Sequence, residues 1–224
     1  MPLILILAES GIEIISKELR SHPSVKKNIR AKNYSSQLLD NALHHSAMHK
    51  LEDSKKRGRP DILHLCLLNA LGSSLNKKGL LELYIHTIHD KIFKIQTDIR
   101  ITRNFNRFKG LMAKLLIDGR IGAIGSELIS PFDGDLNDLI ISYEHNEVIL
   151  FSSNGKLIED PQKLYPKDLN TNVTIIIGTF QKASFNPDLK KLPDKLVAIS
   201  PYSLDAWVAV YKAITYYELI HKIL

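Results

Sequence analysis

The sequence predicts an α/β fold built on a largely parallel sheet. Short apolar or β-branched runs at Met1–Ala8, Glu147–Ser152, Asn172–Ile177 and Lys195–Ile199 alternate with stretches of helical spacing. Each run is followed by a loop of small or polar residues. No internal repeat or low-complexity linker divides the 224 residues, so they read as a single domain. A chain of this length buries about 70% of its unfolded surface and needs no staples.

The elements follow in order. Met1–Ala8 (MPLILILA) has no basic leader and is too short to cross a bilayer, so it reads as a buried first strand. Glu9-Ser10-Gly11 predicts a turn and Ile12–Leu19 an amphipathic helix. His22–Ser36 is polar and irregular, Leu38–Lys50 regains apolar spacing, and Glu52–Arg59 is a charged loop around KKRGR. Pro60 suits the first position of a helix. The segment it opens, PDILHLCLLNALG, is apolar nearly all round, which predicts burial. Leu80–Ile88 and Lys91–Ile95 read as a hairpin turning at His89-Asp90. Helices are expected through Gly110–Ile117 and Ser203–Ile223, the latter offering Trp207, Val208, Tyr211 and Ile214 for packing.

Charge is unevenly spread. Residues 1–125 hold 21 Lys and Arg against 11 Asp and Glu, whereas residues 126–224 hold 9 against 13. All eight arginines lie at or before Arg120. One part of the molecule is suited to meet phosphates; a solvated basic face is the plainer alternative.

Several chemistries find no support. There is no G-x-x-x-x-G-K-[ST], no H-E-x-x-H and no G-x-S-x-G. Gly119, Gly122 and Gly125 do not make the dinucleotide fingerprint and mark a loop or turn. Cys66 is the only cysteine, which excludes an internal disulfide and fits a reduced cytoplasm. His45 and His49 share a helical face without a clear third ligand, so no metal is expected, and His64 reads as a satisfied core residue. No stretch approaches eighteen apolar residues, so no membrane association is expected.

Two constellations point to an anion. Arg100, Arg103 and Arg107, spaced by three and four, share one face if their segment is helical, unless Thr102 or Asn104 caps a helix partway along. Phe105 and Phe108 interleave as anchors, and no acidic residue lies between Arg100 and Arg107. Guanidinium forks bind phosphates and stack on bases. Arg59 and Asp61 flank Pro60, where an acid in the first helical turn is favourable for the macrodipole whatever the function.

Longer stretches are more specific. Arg59-Pro60-Asp61-Ile62-Leu63-His64 leads into Leu67-Leu68-Asn69-Ala70-Leu71, Leu75-Asn76 and Gly79 to Thr87 (GLLELYIHT). Arg100 to Leu116 reads RITRNFNRFKGLMAKLL. With Ile175 to Phe180 (IIIGTF) and Ile199 to Leu204 (ISPYSL), these resemble the ribosome-biogenesis pseudouridine (N1-specific) methyltransferases shared by archaea and eukaryotes. The resemblance covers most of the chain and is tightest over residues 57–116; residues 9–40 and 120–147 are poorly determined by it.

The resemblance implies a SPOUT-type sheet with a C-terminal trefoil knot, a β-hairpin and helical extension, and a homodimer. It implies an RNA-binding extension roughly within 57–116 and a cofactor-binding knot roughly within 148–224. S-adenosylmethionine is the implied cofactor and small-subunit ribosomal RNA the implied partner. Arg59 then touches RNA together with Arg100, Arg103 and Arg107, while Asp61 holds the Arg59 guanidinium or acts as general base. The orienting role is favoured, since a carboxylate paired with arginine is a poor base. Cofactor contacts are implied at Leu150, Phe151, Gly178, Gln181, Lys182, Ala183, Ile199, Ser200, Pro201, Tyr202, Ser203 and Leu204. At Gly178 a side chain is expected to block close approach of the cofactor. Eukaryotic members carry a basic, glycine-containing segment after the glycine loop, where this chain has Gln181-Lys182-Ala183. The competing reading is a non-catalytic RNA-binding assembly factor of the small subunit, which has no need of the cofactor loops.

Overall fold

The computed structural model describes residues 2–30, 32–168 and 170–223. Its centre is β1 (Leu3–Ser10), whose residues are all buried. On one side it pairs in parallel with β2 (Leu81–Thr87), on the other with β7 (Asn172–Gly178). Leu3, Leu5 and Leu7 enter one core, while Ile4, Ile6 and Ala8 enter the core on the opposite face. A central parallel strand is covered on both faces, hence its unbroken apolar run. Each buried Leu or Ile contributes roughly 1.5–3 kcal/mol.

Beyond β7 lie β6 (Asn146–Leu157) and β8 (Lys195–Ala198), both parallel. Beyond β2 the sheet turns antiparallel through β3 (Ile92–Ile95), β5 (Ser126–Phe132) and the edge strand β4 (Ile121–Ala123). The full order is β4-β5-β3-β2-β1-β7-β6-β8. The expected hairpin is β2–β3, and Asp90 takes the left-handed backbone its turn requires. The antiparallel addition of β4 and β5 was not expected.

The helix opened by Pro60 is α3 (Pro60–Gly72), preceded by α1 (Pro23–Asn28) and α2 (Asn41–Met48) and followed by the single turn α4 (Ser74–Lys77). α3 packs with the terminal helix α7 (Ala206–Ile220) in the larger core. On the other face α6 (Leu136–Ile141) buries Leu136, Leu139 and Ile140. Between hairpin and β4 lies α5 (Phe105–Asp118), ended by Gly119 in the left-handed conformation.

Two expectations change. Ile12–Leu19 is not a helix: Ile15 N–H donates to the Gln37 carbonyl at 2.9 Å and Leu39 N–H to the Glu13 carbonyl at 2.8 Å. Extended pairing with residues 37–39 satisfies this backbone and buries Ile12 and Ile15, which overrides the helical spacing. His22–Ser36 is not wholly irregular, since it contains α1, with Pro23 in its first turn. Ile214 of α7 is buried within the subunit, whereas Tyr211 remains exposed.

Candidate active site

A bulge within one parallel strand and the loops at the C-terminal ends of two others line a cleft of about 200 Å³. The bulge is a break in β6. Phe151 pairs with Val197 of β8, and so does Lys156, leaving the residues between them to bulge from the ladder. Ser152, Ser153 and Asn154 thereby reach the cleft. One loop follows β7 and supplies Gly178 and Phe180 to Phe185; the other follows β8 and supplies Ile199, Ser200 and Tyr202 to Leu204. Buried Phe151 and Ile177 give the cleft apolar surface beneath a polar rim.

Of the expected cofactor residues, Phe151, Gly178, Gln181, Lys182, Ala183, Ile199, Ser200, Tyr202, Ser203 and Leu204 all line the cleft. Leu150 and Pro201 do not. Leu150 neighbours Phe151 on a strand, so its side chain points to the opposite face and lies in the core beside α6. Pro201 is exposed on the turn outside the cleft. Sequence reasoning missed Ser152, Ser153, Asn154, Phe180 and Phe185. The aromatic pair explains Gly178: a Cβ there would sit 2.6 Å from the Phe180 ring and 2.8 Å from that of Phe185. The expected obstruction is therefore first to these rings, which themselves line the cleft.

Arg59 and Asp61 form a two-point fork, with Nε donating to Oδ1 at 2.8 Å and Nη2 to Oδ2 at 2.6 Å. Pro60 makes this possible by starting α3 between them. The hydrogen bond to Asp61 raises the Arg59 pKa above its ordinary value, so its charge is fixed. Asp205 adds to that field, and it lies between two residues of the cleft, Leu204 and Ala206. The loop bearing Arg59 is not a solvated basic run. Lys56 is buried against Glu9 at 2.6 Å, and Arg57 forks onto buried Glu13 at 2.8 and 2.5 Å. The Arg59 N–H donates to the Gly11 carbonyl at 2.9 Å, and a Cβ on Gly11 would lie 2.3 Å from the Lys56 carbonyl oxygen. Only glycine permits this approach.

Arg100, Arg103 and Arg107 are all exposed, and none makes an ion pair with a described residue. They do not share one helical face. Asn104 caps α5, its Oδ1 accepting from Arg107 N–H at 3.0 Å, so Arg100 and Arg103 precede the helix. Phe108 is fully buried and Phe105 partly so, as anchors. His64 is satisfied as expected: Nε2 reaches the Thr102 carbonyl at 2.7 Å, and the ring stacks on Phe108 with centroids 4.2 Å apart. His45 and His49 meet edge to face, and no group of three or more potential metal ligands occurs among the described residues. None of the described helices is long and apolar enough to cross a membrane.

This chain is similar throughout its length to proteins of known class. It is 37% identical over 226 residues to the ribosomal RNA small subunit methyltransferase Nep1 of Staphylothermus marinus, covering 100% of this chain and 98% of that one. The Nep1 of Thermococcus onnurineus is 36% identical, over 96% and 97% of the two chains. The crystal structure of Archaeoglobus fulgidus Nep1 bound to S-adenosylhomocysteine superposes with a TM-score of 0.84 at 32% identity, over 99% of this chain and 100% of that one. Residues 5–218 match the model of the EMG1/NEP1 methyltransferases, and the chain belongs to that family.

Proposed function

We propose that this protein methylates N1 of a pseudouridine in small-subunit ribosomal RNA. Its family and its relatives' activity make it an S-adenosylmethionine-dependent methyltransferase of that RNA; the pseudouridine and its N1 are the finer reading. The observation that carries it is the Arg59–Asp61 fork, within the field of Asp205, which lies between two residues of the cleft.

The cleft fits the cofactor in chemistry: apolar surface at Phe151 and Ile177 suits an adenine, and the serine- and glutamine-bearing rim offers polar partners. When bound, S-adenosylmethionine supplies a methyl group activated on a sulfonium. The chain's own task is then to place the base. Arg59, held rigid by Asp61, presents a fixed cation to the RNA, while Arg100, Arg103 and Arg107 hold the flanking phosphates. N1 gives up its proton to water as it takes the methyl group. A base in structured RNA must first be unstacked, which is easiest in a loop.

Matched RNA hairpins carrying pseudouridine or uridine test the reading. Pseudouridine has a free N1–H, whereas uridine N1 is bonded to its sugar. Methyl transfer to the pseudouridine hairpin alone is expected, and equal transfer to both rules out N1.

The same reading makes residues 1–224 one methyltransferase domain, with the RNA-binding extension in 57–116 and a trefoil knot within 148–224. It sets the protein in the cytoplasm, where ribosomes are assembled. It also makes it a homodimer: Tyr211 and Leu219 on α7 are each 60% exposed and free to pack across a two-fold axis. Light scattering should return twice the chain mass, and a monomer at micromolar concentration counts against it.

A further inference from the structure

Glu9 stands at the end of the central strand, 4% exposed, with a left-handed backbone (φ 47°). A residue with a side chain holds that conformation only where its surroundings over-determine it, and such positions cluster at functional sites. Here the surroundings are two loops of the site. Oε2 of Glu9 accepts from Lys56 Nζ at 2.6 Å, three residues before Arg59. Oε1 accepts from the Asn186 N–H at 2.7 Å, at the end of the loop that follows β7. The Lys56 ammonium also lies 5.4 Å from the centre of the Phe180 ring, which lines the cleft.

The strand end is itself held in place. The Glu9 N–H donates to His86 Nδ1 at 3.3 Å, so the His86 proton is on Nε2, facing Asp90 Oδ1 at 3.0 Å. Thr179 Oγ1 lies 2.6 Å from Ser10 Oγ, fastening the β7 loop to the same strand. Arg59 N–H is bonded to Gly11 on the other side. The arginine loop and the cofactor loop therefore meet through Glu9 and its neighbours, not through solvent.

We infer that Glu9 is a positioning residue joining the loop around the cofactor cleft to the loop that carries Arg59, so that filling the cleft and placing the guanidinium on RNA are linked. Only a carboxylate serves both loops here. A glutamine has one acceptor oxygen, and its NH2 faces either an ammonium or a backbone N–H, donor against donor. The linkage rests on the proposed assignment of cofactor and RNA to this site.

Affinity for a pseudouridine hairpin is measured with and without saturating S-adenosylhomocysteine, in wild type, Glu9→Gln and Lys56→Met. In wild type the cofactor product should tighten hairpin binding by about 5-fold or more, the low end of couplings between sites. In both variants the ratio, measured at S-adenosylhomocysteine concentrations that saturate each protein, should fall to within about 2-fold of one. A wild-type ratio of one, or an undiminished ratio in the variants, overturns the linkage. A wild-type protein that fails to bind either ligand overturns the site assignment itself, which is a separate outcome. Amide exchange needs no variant: residues 56–59 of wild type should exchange more slowly once S-adenosylhomocysteine is bound, and unchanged exchange there overturns the linkage even if both substitutions unfold the protein.

Discussion

His64 Nε2 lies 2.7 Å from the carbonyl oxygen of Thr102, joining the first turns of α3 to the segment between Arg100 and Arg103. A carbonyl only accepts, so the imidazole proton is on Nε2 and the bond is directional. His64 is one turn beyond Asp61 on the same helix. The fork at the start of α3 and the exposed arginines before α5 are thus parts of one rigid assembly, with His64 stacked on Phe108 between them.

This arrangement separates charge from placement. Replacing Arg100, Arg103 or Arg107 by alanine should weaken hairpin binding and lower the slope of log affinity against log salt by about one phosphate contact. His64→Leu leaves the three exposed guanidinium groups intact and removes only the bond that holds their segment, so it should weaken binding while leaving the slope in place. It also strands the Thr102 carbonyl, at a cost of about 1–3 kcal/mol if water does not replace the donor. Salt titrations of hairpin affinity check both, and full affinity in the three arginine variants means the RNA surface lies elsewhere.

Much of this frame was readable in advance, for local reasons. Pro60 at the start of an apolar helix and the two β-rich runs around His89-Asp90 are signals that tertiary contacts had no cause to override. The failures were non-local. The first half of Ile12–Leu19 is not helical because residues 37–39 pair with Glu13 to Ile15. Ser152–Asn154 enter the cleft through a slip in register between β6 and β8, a property of two strands at once. Strand alternation alone was enough to set Leu150 aside in favour of Phe151. Asn104 carried its own signal too, since an asparagine before an apolar periodic run is a ready helix cap. So did Asp135 and Asp138, whose reciprocal capping box opens α6.

Gly178 tests the cleft. Any Cβ there collides with Phe180 and Phe185, and both rings line the cavity, so relief must come by moving them into the space or away from it. Gly178→Val should lower affinity for S-adenosylhomocysteine by at least about 10-fold, roughly 1.4 kcal/mol. Hairpin affinity without cofactor should stay near wild type, because Arg100, Arg103 and Arg107 lie on other elements. Calorimetry with each ligand reads both, and unchanged cofactor binding counts against this cleft as the site.

Two buried histidines set an acid limit. Burial is the largest influence on His44 and on His86 and lowers each pKa from the ordinary 6.5. Their surroundings agree, since Nδ1 of His44 accepts from the Asp40 N–H and Nδ1 of His86 from the Glu9 N–H. With folded pKa values below unfolded ones, the unfolded chain binds more protons at acid pH, and stability rises with pH. The contribution is complete above the ordinary histidine pKa and is lost as pH falls below it. Melting temperature should therefore hold between about pH 8 and 7 and drop towards pH 5, with a shallower drop in His44→Gln and His86→Gln. An unchanged slope in both variants assigns the acid sensitivity to other groups.

The Arg59–Asp61 fork bears directly on whether the carboxylate orients or takes a proton. Both Asp61 oxygens are engaged by the guanidinium, Nε on one and Nη2 on the other, although the carboxylate is 41% exposed. Exposure leaves a path for a proton, whereas the two-point pairing favours a purely positioning role. Arg59→Ala should weaken hairpin binding and also slow single-turnover methyl transfer at saturating RNA, by about 100-fold if its loss resembles that of a preorganised electrostatic donor elsewhere. If Asp61 only orients, Asp61→Ala should reproduce both defects at every pH, because the freed guanidinium no longer meets the RNA in one pose. If Asp61 takes the N1 proton, its alanine variant should keep near-normal affinity and recover rate as pH rises and more of the substrate N1 ionises unaided. Hairpin affinity and single-turnover rates across pH for the two variants separate these cases. We expect parallel losses in both, and normal affinity with a pH-rescued rate in Asp61→Ala would make the carboxylate a base.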